Sequence, residues 1–169
     1  KRQGFQLSRY DDKDNKGLNV DQGILRQYLY DHIPLSQAMQ VEVLSAQPEG
    51  VVLGAPLPPN INHQETIFGG SASAVAILAA WSLLHVRLQH EGVHSRLVIQ
   101  SNTMEYQLPI AGSFTARSYL EPDADWPRFL RTLARKGRAR ISVSSVLEFH
   151  GQQAGKLRGE FVALAPEVA

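Results

Sequence analysis

The apolar positions of this chain follow helical spacing at first and strand spacing afterwards, with one long apolar run between them. Tyr28 and Leu29 follow Leu25 by three and four residues and Ile33 follows Leu29 by four, behind Asn19, a residue type that caps helix starts, and Pro34 closes the segment. Residues Ala38 to Ala46 and Gly50 to Leu57 read as two strands, with a turn from Gln47 to Gly50. The stretch Ala72 to Leu84 is different: alanines alternate with Val75, Ile77, Leu78, Trp81, Leu83 and Leu84, and no charge interrupts it. A helix apolar all round is a buried one, and this run is shorter than the roughly 20 residues a membrane span needs. It is therefore predicted as a core helix wrapped by a sheet. Gly92 breaks the chain, and strands are predicted over Arg96 to Gln107 and Ser113 to Leu120. A short helix from Trp126 to Lys136, with Gly137 behind it, precedes two strands at Ala139 to His150 and Gln153 to Leu164, joined at Gly151.

That order makes an α+β domain: a helix, two strands, a long buried helix and four strands, one short helix inserted among the last four. One curved antiparallel sheet around one central helix satisfies it. The length of 169 residues suits a single domain, assigned here to 20–169. Residues 1–19 are polar and weakly periodic and read as a linker or the tail of a preceding domain, in keeping with a first residue of Lys. Asp12 to Gly17 imitates the start of a calcium loop, but Lys16 stands where an oxygen ligand is needed and Gly23 where the bidentate Glu belongs. No metal site is expected.

Charge and cysteine content narrow the chemistry. With 17 Lys plus Arg against 16 Asp plus Glu, the net charge of +1 gives no footprint for nucleic acid. The absence of cysteine excludes disulfides and thiol catalysis and is compatible with the cytoplasm, the compartment expected here. No signal peptide or membrane span is recognised.

The chemistry concentrates just before the apolar helix, in Asn60-Ile61-Asn62-His63-Gln64-Glu65-Thr66-Ile67-Phe68-Gly69-Gly70-Ser71. The first N–H groups of a helix lack intrahelical partners and carry the positive end of its dipole, and glycine lets a substrate approach them closely. Gly69 and Gly70 are thus placed to polarise a carbonyl. Asn62 suits a water or carbonyl contact, and His63, ordinarily titrating near 6.5, is the best general base in the loop. Ser71 and Ser73 can add hydrogen bonds at the helix entrance. Each has a plainer alternative: Asn60 and Asn62 fit Asx turns, His63 fits a surface position, and Phe68 and Trp81 fit core or pocket lining.

These residues also carry a resemblance. Together with Ile33-Pro34-Leu35-Ser36, Ala55-Pro56-Leu57, Trp81, Tyr106, Pro109 and Lys136-Gly137-Arg138-Ala139-Arg140, the loop resembles the thioesterase domain family of the bacterial YiiD type, over about residues 24 to 165. The resemblance implies a hot dog fold and an acyl thioester ligand on coenzyme A or acyl carrier protein. It further implies a homodimer, with a tetramer left open, whose active sites lie at the subunit interface. No cofactor is implied, coenzyme A entering only as part of the substrate. Lys1 to Phe5 is similar to the last Gly-Phe element of a GNAT-type acetyltransferase, which can precede such a domain. Laid on the Asn-x-x-Gly-x-x-His-Gly-Gly pattern of PaaI-like hot dog thioesterases, Asn62, Gly69 and Gly70 match, while Phe68 replaces the His. The helix carboxylate of those enzymes falls at about Ile77, and there is no acid between Ser71 and His90. Substrate contacts are accordingly expected from Asn60, Phe68, Ser71, Ser73, Ile77, Trp81 and Asn102, with a tunnel along Ile77 and Trp81.

The basic cluster at Arg128, Arg131, Arg135, Lys136, Arg138 and Arg140 contains no acid and no interleaved stacking aromatics. Guanidinium forks match phosphate oxygens, so Arg135, Lys136, Arg138 and Arg140 are candidates for the phosphates of coenzyme A or the acidic surface of a carrier protein. A solvated basic face is the alternative. Three functions follow in order: a thioester hydrolase, a non-catalytic acyl-binding or dimerisation module serving an acetyltransferase, and a dehydratase or hydratase, whose signatures are missing.

Overall fold

The computed structural model describes residues 20–166; the proposed linker, the Gly4-Phe5 element, the calcium-like run and Asn19 lie outside them. The first helix, α1 (Gln22–His32), is capped by Asp21, whose carboxylate accepts from the backbone N–H groups of Gly23 (2.7 Å) and Ile24 (3.1 Å). The cap is therefore Asp21 and not Asn19, because only a side chain directly before the helix reaches those donors. Pro34 also does more than end α1. It opens a second short helix, α2 (Pro34–Ala38), in whose first turn a missing N–H costs nothing. That helix takes up the beginning of the predicted first strand.

Six strands follow: β1 (Glu42–Gln47), β2 (Gly50–Ala55), β3 (Arg96–Tyr106), β4 (Phe114–Leu120), β5 (Arg138–Phe149) and β6 (Gln152–Leu164). They form one antiparallel sheet in the order β1-β2-β4-β5-β6-β3. The long helix α3 (Gly69–His90) lies against every strand, with Val75, Ala76, Ala79, Ala80, Leu83 and Leu84 fully buried. Alanine lets the sheet approach the helix backbone, and the Ser145 hydroxyl on β5 donates to the carbonyl of Ala76 at 2.7 Å. At 22 residues α3 is longer than the predicted run, and by length and composition alone it could cross a membrane. Its burial against the sheet identifies it as the core helix.

The two ends of α3 meet different fates. At its C-terminal end sits α4 (Trp126–Lys136), capped by Asp125 and stopped by Gly137 in the left-handed conformation. The Trp126 indole N–H donates to the Glu91 carboxylate (3.1 Å), and the Arg87 guanidinium lies 4.4 Å from its ring, which closes that end. The N-terminal end of α3 stays open. At the sheet edges, β1 is crossed by α1 through Gln22 to the Leu44 carbonyl (3.0 Å) and the Arg26–Glu42 ion pair (2.8 Å). Strand β3 pairs with β6 alone among the described residues, so no described strand pairs with its other edge.

Candidate active site

The loop before α3 holds itself in place through its asparagines. Asn60 ends a 3-10 turn (Pro58–Asn60) and is 1% exposed; its amide nitrogen donates to the carbonyls of Met39 (2.9 Å) and Pro56 (2.8 Å), and its own carbonyl accepts from the Phe68 N–H (2.7 Å). Burial places Asn60 behind the loop as a scaffold. Asn62 works at the turn itself: its side-chain oxygen accepts from the N–H groups of Gln64 (2.8 Å) and Thr66 (3.2 Å), and its amide nitrogen reaches Thr66 Oγ1 (3.0 Å) and the Ile67 carbonyl (3.3 Å). Both ends of that amide serve the loop, as an Asx turn requires. His63 and Glu65 project from it, exposed, with Glu65 at a φ of 57°.

The loop delivers Phe68 to the cap position of α3 in extended conformation, with no capping side chain. Among the described residues, the first N–H groups of the helix consequently have neither an intrahelical partner nor a cap. Two exposed aromatic rings flank them. A Cβ on Gly70 would lie 2.3 Å from a Phe68 ring carbon, so any larger residue there requires that exposed ring to shift. On the other side the Tyr106 ring lies where a Cβ on Gly69 would be 3.5 Å away, and its hydroxyl donates to the Gly69 carbonyl at 3.0 Å. Beside this helix start is a recess of about 260 Å³ with buried walls at Ile67, Ala72, Ile110, Leu147 and Ala154. A larger hollow of about 540 Å³ across β1, β2 and β4 shares no residue with the loop or with α3.

The sequence-predicted residues divide between this place and others. Asn62 is tied to Thr66 and Ile67, directly before Phe68, Gly69, Gly70 and Ser71; half-buried Ser73 follows within the first turns of α3, and His63 is exposed on the same loop. Ile77 and Trp81 do not line this recess. Trp81 is committed elsewhere: its indole N–H donates to the Leu97 carbonyl (3.3 Å), and its ring stacks on His85 (4.8 Å), which stacks on Tyr28 (4.8 Å) of α1. Burial in that stack, aided by the nearby His32, pushes the His85 imidazole down to about 4.

Asn102 lies in mid-β3, exposed, in a small hollow with Ser101, Thr103, Arg158 and Glu160. It is four residues from Tyr106, about 13 Å along the strand. Arg135, Lys136 and Arg140 do share one polar groove of about 460 Å³ with Arg128, but Asp123, Asp125 and Glu160 share it too, and Arg138 does not line it. Arg140 and the recess residue Leu147 are separated along β5 by about 23 Å, so within one protomer the basic groove and the helix start are at opposite ends of the strand. Sequence reasoning missed Tyr106 as a site residue. The signal was its place in the family pattern, but its contact with Gly69 depends on the β3–β6 register that pairs it with Gly155.

Comparison with known proteins bears on the fold and the family. The chain is similar to a protein of unknown function from Chlorobaculum tepidum (29% identity, TM-score 0.80, covering 86% of this chain and 94% of that one). It is also similar to a protein from Shewanella oneidensis described as a putative thioesterase (27% identity, TM-score 0.77, covering 86% and 97%). A Pseudomonas aeruginosa protein of unknown function, described as a probable thioesterase, shares the fold at 15% identity (TM-score 0.75, covering 88% and 98%). The fold is the hot dog fold of thioesterases. Residues 22–165 match the family described as "Putative thioesterase (yiiD_Cterm)", and the chain belongs to that family.

Proposed function

We propose that this chain hydrolyses acyl thioesters carried by coenzyme A or acyl carrier protein in the cytoplasm. The observation that carries this reading is the uncapped start of α3, where Gly69 and Gly70 lie between two exposed aromatic rings beside an apolar recess. The thioester carbonyl oxygen would accept from the Gly69 and Gly70 N–H groups; loss of one such donor costs other enzymes about 3 to 4 kcal/mol. Ser71 and Ser73 add hydroxyls at the entrance. Water attacks the carbonyl carbon and passes its proton to His63, the C–S bond breaks, and the departing thiolate takes that proton from the imidazolium. Asn62, with its amide engaged inside the loop, acts by positioning His63 and the Gly pair.

A second copy of the chain is proposed to pair with the edge of β3 that no described strand occupies, as an antiparallel strand pair extending the sheet, which would bring Asn102 to the interface. The groove of Arg128, Arg135, Lys136 and Arg140 is the proposed contact for coenzyme A phosphates or an acidic carrier protein. One observation favours a second reading, an acyl-binding module without turnover: α3 carries no Asp or Glu from Gly69 to His90. Thiol release from acyl-CoA and acyl carrier protein thioesters separates the two. Turnover by the wild type, lost in His63→Ala and reduced in Asn62→Ala at matched folding, supports hydrolysis; saturable binding without turnover supports the module.

A further inference from the structure

We propose that the recess beside the helix start is the acyl-chain site and that it limits the acyl group to about ten carbons or fewer. This rests on the acyl thioester reading and deepens it by naming the substrate class. Three observations carry it. The recess opens where the thioester carbonyl would sit, because Gly69 and Tyr106 belong to its lining. Its inner wall is apolar and buried: Ile67 is 7% exposed, Ile110 5%, Ala72 3%, and Leu147 and Ala154 1% each. Its lining reaches the surface at Tyr106 and Leu108, 59% and 43% exposed. A lining that is apolar apart from Gln107 and the Tyr106 hydroxyl fits a hydrocarbon, and no charged side chain lines it to meet an acid or an amine.

Volume sets the limit. A dry apolar cavity of about 150 Å³ in another protein holds the six carbons of benzene, so the same carbon density gives about ten carbons for a recess of about 260 Å³. Two buried residues set its size from opposite sides. Leu147 on β5 and Ala154 on β6 meet at its inner wall, next to the Leu147–Gly155 strand pair. Shortening the first deepens the recess, and lengthening the second fills it. The half-buried Ile77 and Trp81 stand outside it, so their stripe of α3 offers no continuation for a longer chain.

The test uses coenzyme A thioethers bearing saturated chains of four to sixteen carbons, bound by the whole protein and followed by calorimetry, alongside hydrolysis of the matching thioesters. Affinity is expected to tighten about fourfold per methylene up to about ten carbons and then to level off or fall. Leu147→Ala is expected to move the break to longer chains and Ala154→Leu to shorter ones, with melting curves identifying any variant that fails to fold. Ala154→Val is the milder filling variant if Ala154→Leu is overpacked. Affinity that keeps rising through sixteen carbons, that ignores chain length, or that is absent for every thioether overturns the proposal. A break in binding without hydrolysis leaves this assignment standing while the hydrolase reading fails. Hydrolysis with no break does the reverse.

Discussion

The Tyr106 hydroxyl at the end of β3 donates a 3.0 Å hydrogen bond to the carbonyl of Gly69, the first residue of α3. An edge strand thereby fixes the glycine whose N–H is assigned to the substrate carbonyl. Tyr106→Phe keeps the ring against Gly69 and removes only that bond. A single hydrogen bond contributes about 1 kcal/mol net, so the melting temperature is expected to drop by only a few degrees. Turnover of a short acyl-CoA is expected to fall about tenfold in kcat, since a small displacement of donors near the reacting carbonyl is costly. Steady-state kinetics beside thermal melts check both.

Asn62→Ala removes the acceptor for the Gln64 and Thr66 N–H groups and the donor to the Ile67 carbonyl. The loss is expected to be about 1 to 3 kcal/mol of unfolding free energy, larger than for an exposed loop residue that only touches solvent. Urea denaturation measures it. Asn62→Asp keeps the acceptor and is expected to retain more of that stability than Asn62→Ala.

The His85 imidazole, packed against both Tyr28 and Trp81, is pushed down to about 4 because burial disfavours its charged form and His32 adds a like charge. The unfolded chain takes up a proton between about pH 6.5 and 4 that the folded protein does not. Folding stability from this residue is therefore complete above about pH 7 and declines as pH falls toward 4, by about 3 kcal/mol at most. Comparing the pH dependence of urea midpoints for the wild type and His85→Gln isolates it: the slope between pH 7 and 4 is expected to be shallower in the variant.

Pairing through the open edge of β3 predicts a particle of twice the 18.7 kDa chain mass. Ser101→Lys places a cation near the middle of that strand, where a two-fold strand pair would bring it close to its own copy. Sedimentation equilibrium is expected to show the dimer weakened at least tenfold in Ser101→Lys and restored toward the wild type by Ser101→Ala.

Most of this fold was legible in the chain because its signals are local. Gly137 behind Trp126 to Lys136 marked the end of α4 to the residue, and the turn from Gln47 to Gly50 separated β1 from β2 as expected. Pro34 was ambiguous because proline both ends one helix and starts another, and only packing decided for α2. The site was half legible. The Gly pair and the loop could be read from the order of residues, since a helix start needs nothing distant. The roles of Asn62 and Trp81 could not, because they depend on which partner each amide and ring meets in space. The recess was invisible for the same reason: Leu147 and Ala154 reach Ala72 only through the register of β5 and β6 against α3.

The most direct measurement is the rate of thiol release from octanoyl-coenzyme A by the wild type and by Gly70→Ala, each verified as folded by its melting curve. A Cβ at Gly70 would collide with the Phe68 ring at 2.3 Å, and because that ring is exposed it can move with little loss of stability while the helix start is covered or displaced. Wild-type turnover that falls at least tenfold in Gly70→Ala, with the melting temperature changed by only a few degrees, is the expected result. Absence of thiol release by the folded wild type, or equal rates in the two proteins, would contradict the assignment of the α3 start as the carbonyl site.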